Sequence, residues 1–306
     1  MQGGGLRRLL PLLLACLLLA GCAGQRQPEA AQVAAPSPEE TGAAAVLPSP
    51  ALEHPYEPLR VYFDGLLTDR GYVRNGIAYL APETVCAYYG LDCETAWEDG
   101  GFTLRLPGLE LRGEKDLPYF TADGRYLYAP EGWIEADGRL YLPWDAVERI
   151  FTLTLSFSED PARVDVSSTG CRLLQGGADY YERTTQADDL YWLIHIIYAE
   201  AHHEPLAGQI GVGNVVLNRV KSDDFPATIM AVVLDREHTL QFSPVGTGEV
   251  TAVPDETAEI AAYLCLEGYN TAGESLYFVN PQRGDSSWFD RSLTPVCVIG
   301  EHHFYR

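Results

Sequence analysis

The sequence predicts an α+β protein in which a β-rich accessory half precedes a helical half that ends in strands. Three patterns lead there. Residues 56–168 alternate short apolar runs with Asn-Gly and Asp-Gly steps, the dipeptides that favour tight hairpins. From Asp188 the apolar spacing becomes helical, with Leu190, Leu193, Ile194, Ile197 and Ala201 on one face. The tail returns to strand-like runs at 276–279, 296–299 and 304–305.

Residues 1–22 read as a lipoprotein signal peptide. Arg7 and Arg8 form a positive start, and the apolar run Leu9–Ala20 is too short to span a bilayer comfortably. It ends in Leu19-Ala20-Gly21-Cys22, which resembles a bacterial lipoprotein cleavage box, so Cys22 is the expected lipidation site, an ordinary signal peptide with an incidental Cys being the alternative. The expected location is extracytoplasmic, membrane-anchored in the cell envelope, with two or more acyl chains holding the protein there. Residues 23–54, rich in Ala, Pro, Glu and Gln and without an aromatic residue, form an expected disordered tether. A flexible chain of that length reaches on the order of 30 Å. The formal net charge of −22 argues against nucleic acid, since no basic stripe is available for phosphates.

Residues 56–168 form the accessory domain. Arg60-Val61-Tyr62-Phe63-Asp64-Gly65 reads as a strand entering a turn, and a weak repeat follows. Asn75-Gly76-Ile77-Ala78-Tyr79-Leu80 matches Asp137-Gly138-Arg139-Leu140-Tyr141-Leu142, 62 residues on. Each copy leads to a short helix, near Glu83–Tyr89 and Trp144–Phe151, and then to a strand, Phe102–Leu106 and Val164–Val166. The pattern resembles the copper amine oxidase N-terminal-like module, which implies a β-rich accessory domain without a copper site. Its expected role is a spacer, or the binding of wall or partner.

Beyond Cys16 and Cys22, five cysteines remain, an odd number. Cys86 with Cys93 and Cys265 with Cys297 are candidate disulfides; buried free thiols are the alternative. A linker at 171–186, with Gly176-Gly177, leads to the catalytic domain at 187–306. Asp188 or Asp189 can cap its first helix. Pro205 starts a second helix, running through Ile210, Val212, Val215, Val216, Leu217 and Val220, and Asp255 opens a third that ends at Gly268.

Glu200 follows Leu193, Ile196 and Ile197 by seven, four and three residues, which sets it beside the apolar face of the first helix. Desolvation there keeps a carboxyl protonated near neutral pH, as general-acid cleavage of a glycosidic bond requires. Geometry alone favours an ordinary helix-edge carboxylate. The neighbouring motifs reverse that balance. Tyr198-Ala199-Glu200-Ala201-His202-His203-Glu204-Pro205, the run Gly208 to Val220 ending in Leu217-Asn218-Arg219-Val220, Phe225-Pro226-Ala227-Thr228-Ile229 and Gln241-Phe242-Ser243-Pro244-Val245 follow one another in order. Ala272-Gly273 to Pro281 and Ile299-Gly300-Glu301-His302-His303-Phe304-Tyr305 complete the series. Together they resemble the SleB-type cell wall hydrolases over roughly 120 residues. His202-His203 stands where that family usually has Arg-Gly.

The resemblance implies a lysozyme-like, lytic-transglycosylase-like fold acting on peptidoglycan glycan strands between MurNAc and GlcNAc, with Glu200 as catalytic acid. The family includes spore-cortex enzymes. A single acid suffices when the MurNAc 6-hydroxyl is the nucleophile and a 1,6-anhydro sugar is the product. A hydrolytic muramidase or glucosaminidase, needing a second carboxylate or a positioned water, is the alternative, as is a non-catalytic wall-binding lipoprotein. Gln241, Ser243, Tyr277, Asn280 and His302 are expected to bind substrate through amides, hydroxyls and rings. Tyr277 is equally a core aromatic, and His302 equally a structural histidine. Glu204 orients Glu200, makes a structural hydrogen bond or faces solvent; Asn218 and Arg219 are expected to brace the fold. His195, His202, His203, His302 and His303 invite a zinc reading, but no HExxH occurs, and no cofactor or metal is expected. A serine hydrolase would need a Gly-x-Ser-x-Gly elbow, which is absent.

Overall fold

The computed structural model describes residues 33–34, 56–159, 162–167, 170–177, 180, 188–236, 242–284 and 286–306. The expected signal peptide with Cys22, the tether apart from 33–34, and Gln241 lie outside the described residues. The helices are α1 (Pro82–Tyr89), α2 (Trp144–Phe151), α3 (Asp189–Ala201), α4 (Leu206–Lys221), α5 (Ile229–Val233), α6 (Ser243–Thr247), α7 (Glu256–Leu266) and α8 (Ser287–Ser292). Strands and helices are both present, as an α+β protein requires.

The repeat is visible in the backbone. Asn75 and Gly76 have φ of 53° and 77°, and Asp137 and Gly138 have 50° and 71°. Positive φ at both central residues is what a tight hairpin turn of the right twist demands. The strands after the two turns, Ile77–Leu80 and Arg139–Pro143, pair antiparallel with Leu142 opposite Leu80. They lie inside a seven-stranded sheet ordered Ile134–Ala136, Arg139–Pro143, Ile77–Leu80, Leu66–Arg74, Glu57–Phe63, Ala162–Ser167 and Thr154–Glu159. The closing strand Ala162–Ser167 runs parallel to Glu57–Phe63. The expected strand Phe102–Leu106 that ends the first copy belongs to a separate five-stranded antiparallel meander from Glu94 to Tyr128, whereas Val164–Val166 of the second copy lies in the seven-stranded sheet, so the repeat does not extend to these strands. Phe102, Leu104, Leu111, Phe120 and Leu127 of this meander share one core with Val85 of α1 and Val147 and Ile150 of α2.

The start of the expected linker belongs to this core. The Arg172 and Leu174 amides donate to Phe151 and Ile150 carbonyls at 3.2 and 2.8 Å, and Cys171 is buried. All five described cysteines are free thiols. Cys265 Sγ faces the Ile210 carbonyl at 3.4 Å and Cys297 Sγ the Thr271 carbonyl at 3.8 Å, so this pair is directed to separate partners.

A second core joins Leu193, Ile197, Ile210, Val216, Val232 and Leu264 from α3, α4, α5 and α7. Helix α4 approaches its neighbours closely because Gly211 and Gly213 carry no side chain. A Cβ on Gly211 would sit 2.7 Å from the Phe304 ring, and one on Gly213 would sit 2.6 Å from Cys265 Sγ. The C-terminal sheet has His302–Tyr305 between Tyr277–Val279 and Pro295–Ile299. Phe304 of its central strand packs on Val215 of α4. Asp255 caps α7 by accepting the Ala258 amide at 2.9 Å. Asp188 holds the N-cap position of α3 without a side-chain bond, and buried Asp189 accepts the Met230 amide of α5 instead.

The accessory module is docked on the catalytic half. Tyr126 stacks on Tyr263 of α7 at 5.6 Å, and Tyr180 stacks on the same ring at 4.2 Å. Arg125 pairs with Glu267 at 3.0 Å, while Arg149 donates to the Glu267 carbonyl and covers the Tyr269 ring at 3.9 Å. Helix α7 packs on α3 and α4 as well, so the accessory strands reach the helices of the site through one intervening element.

Candidate active site

Glu200 lies in the last turn of α3 and lines a cavity of about 350 Å³. The other walls come from His202, His203 and Glu204 after α3, Arg219 of α4, Ser243 and Pro244 of α6, Glu249, and the stretch Phe278–Asn280 with His302. The sequence places this carboxyl beside an apolar helix face, and the fold leaves it half-buried. Burial first, and then the Glu249 carboxylate, push the Glu200 carboxyl up to about 7, with Arg219 acting in the opposite direction. Such a group holds its proton in mildly acidic water and releases it near neutrality. The segment bearing Glu249 is tied to α3 one turn earlier, where His195 Nδ1 donates to the Val250 carbonyl at 2.8 Å.

Glu204 is buried and structural. Its Oε2 accepts the Glu301 amide at 3.0 Å, and its Oε1 lies 3.2 Å from Nδ1 of His302. Burial lowers the pKa of His302, the Glu204 charge opposing, and the imidazole edge packs on Phe278 at 5.1 Å. Gly300 turns the chain at φ 57°, and a Cβ there would collide with Glu204 Oε2.

The expected substrate ligands separate into two kinds. Ser243 is exposed at the start of α6 and lines the cavity. Asn280 also lines it, but its amide donates to Glu301 Oε2 and its carbonyl oxygen accepts the Gln282 amide, both at 2.9 Å. His302 lines the wall with its buried Nδ1 close to Glu204 Oε1 but without a hydrogen bond. Tyr277 stands behind the wall, with the Arg219 guanidinium over its ring at 5.5 Å and the exposed Trp288 at 6.5 Å. Asn218 braces the fold, donating to the Gly273 and Ser275 carbonyls at 2.8 and 3.0 Å. Arg219 braces it too, through Nε to the Leu276 carbonyl at 2.8 Å, yet it also forms part of the cavity wall.

The His202-His203 pair occupies the cavity rim. The two rings are 3.8 Å apart, and His202 stacks on Tyr198 while its Nδ1 donates to the Tyr198 carbonyl at 2.9 Å. Among the described residues no three metal-ligating side chains gather into one group. The sequence reading missed Glu249, which carries no motif of its own. The cavity role of Arg219 was detectable: it follows Val215 and Val216 by four and three residues, which puts a guanidinium on the buried face of α4.

The family model described as Cell Wall Hydrolase matches residues 203–305, so this part of the chain is similar to a cell wall hydrolase domain. Glu200 lies three residues before the matched range. The spore cortex-lytic enzyme of Bacillus cereus is 32% identical over 117 residues, 38% of this chain and 44% of that protein. The spore cortex-lytic enzyme of Bacillus subtilis is 34% identical over the same length, 38% of this chain and 37% of that protein. The chain thus spans less than half the length of these relatives. The solved catalytic domain of the germination-specific lytic transglycosylase SleB from Bacillus anthracis is 30% identical, covering 42% of this chain and all of that one at a TM-score of 0.37.

Proposed function

With a cell wall hydrolase domain as the premise, we propose that this protein cleaves peptidoglycan glycan strands between MurNAc and GlcNAc as a lytic transglycosylase with Glu200 as its acid and base. The observation that carries this is a carboxyl on the wall of a cavity of about 350 Å³ whose pKa is pushed up to about 7. Glu200 gives its proton to the glycosidic oxygen as the C1–O bond breaks. The MurNAc 6-hydroxyl then attacks C1, and the Glu200 carboxylate takes the hydroxyl proton, leaving a 1,6-anhydro end. The lysozyme-like arrangement of α3 beside a cleft, substrate contacts from Gln241, Ser243, Asn280 and His302 with Tyr277 backing the wall, and anchoring in the cell envelope through Cys22 belong to the same proposal.

One observation favours hydrolysis as a second reading. Glu249 shares the cavity with Glu200, and a second carboxylate is what positions a water for attack. Digestion of purified peptidoglycan followed by mass spectrometry separates the two. Anhydro-muropeptides are expected; reducing ends alone would replace the transglycosylase with a hydrolase. Glu200→Gln should lower the rate at least about 100-fold, the usual contribution of general acid–base catalysis. Full activity in that variant would remove Glu200 from the mechanism.

A further inference from the structure

Arg219 has a second task that bracing the fold does not explain. The side chain is 3% exposed, and its guanidinium is enclosed by the rings of Phe225, Phe242 and Tyr277 at 5.0, 5.0 and 5.5 Å. Nε is committed to the Leu276 carbonyl, whereas the buried Nη1 has no hydrogen-bond partner. A buried donor left unsatisfied is destabilising, more so when charged. The same residue is a wall of the Glu200 cavity.

We propose that the Arg219 guanidinium is the donor of an N-acetyl subsite, taking the acetamido carbonyl oxygen of a sugar bound beside Glu200. This rests on the glycan reading of the cavity. A guanidinium offers donors only, so its partner must be an acceptor. Glu200, Glu204, Glu249 and Glu301 all line the cavity, against Arg219 and Arg283, so a carboxylate ligand meets an acidic field. A neutral carbonyl is the acceptor that fits. The acetamido group also carries a methyl, for which Phe278 and Pro244 provide apolar surface in the same wall. Burial lowers the guanidinium pKa to about 10, so it remains a cation at the pH where Glu200 titrates.

Calorimetric binding tests this on the full chain with two neutral ligands of the same β-1,4 backbone, an N-acetylglucosamine tetramer and cellotetraose. The wild type should bind the N-acetylated tetramer about tenfold more tightly, the scale of one charged hydrogen bond. Arg219→Lys keeps the charge but loses the planar fork, and should lose most of that preference while its weaker cellotetraose binding is unchanged. A merely structural role would weaken both ligands alike. A folded Arg219→Lys protein that retains the preference overturns the proposal. Should that variant not fold, equal binding of the two tetramers by the wild type still overturns the assignment, and Arg219→Gln is measured in its place, lost preference upholding it and retained preference overturning it. Peptidoglycan digestion by the same preparation separates the two failures. Digestion without acetamido preference removes the subsite and keeps the glycan reading, whereas neither digestion nor binding removes both.

Discussion

A carboxyl whose pKa the fold raises makes the folded state pH-sensitive through one side chain. In the unfolded chain Glu200 titrates near 4.5, and in the fold near 7, so between those values the folded state holds the extra proton. Stability therefore falls as pH rises through that window. Glu200→Gln removes the penalty: it should match the wild type at pH 4 and exceed it at pH 8, by up to about 3 kcal/mol. Denaturant unfolding at the two pH values checks this, and a variant less stable than the wild type at pH 8 would contradict it. Activity should decline above about pH 7 as the acid ionises. Glu249→Gln, by removing the neighbouring charge, should move that decline to lower pH, and a pH–rate profile that does not move would show that Glu249 leaves Glu200 untouched. The apolar partners of Glu200 were legible because Leu193, Ile196 and Ile197 sit on its own helix. Glu249 was not, because nothing local marks a residue that reaches the site by tertiary folding.

Among the elements, α4 is the one whose composition most constrains the site. Its glycines let Phe304, Cys265 and Ile197 come within contact of helix backbone, and Arg219 leaves the same helix for the cavity wall. Gly211→Ala and Gly213→Ala should each cost about 1–3 kcal/mol, the range for overpacking a filled core, although alanine is the better helix former. Urea unfolding measures this, and a stabilised variant would mean that α4 is free to shift outward. Gly300→Ala combines a left-handed backbone with collision on Glu204, so it should also lower activity by displacing the loop on the cavity rim. Helices α3, α4 and α7 were readable because each spans enough turns to display a 3.6-residue period. Helices α5 and α6, five residues each, and α8, six residues, are too short for any period to emerge. The paired hairpins were readable for a different reason: Asn75-Gly76 and Asp137-Gly138 name their own turn type.

For the whole molecule, the decisive contact is the one between its halves. The tyrosines and arginines that make it, Tyr126, Arg125 and Arg149, look like ordinary residues of strands and a helix when read along the chain. Their joint action appears only when the meander meets α7. Glu267 is the hub, receiving the Arg125 guanidinium and the Tyr180 hydroxyl on its carboxylate and Arg149 on its carbonyl. Its side chain is only 6% exposed and that of Arg125 18%, so removing the carboxylate strands a desolvated cation. Breaking a buried pair from one side costs about 3–5 kcal/mol. Each half has its own core, so loss of the coupling need not unfold either. Scanning calorimetry of the wild type should therefore show one cooperative transition, and Glu267→Ala should split it in two. Gly211→Ala, buried deep in the catalytic core, should instead lower the single transition without dividing it. If Glu267→Ala melts as one unit at the wild-type temperature, the stacked tyrosines alone hold the halves together and the ion pair is incidental to their union.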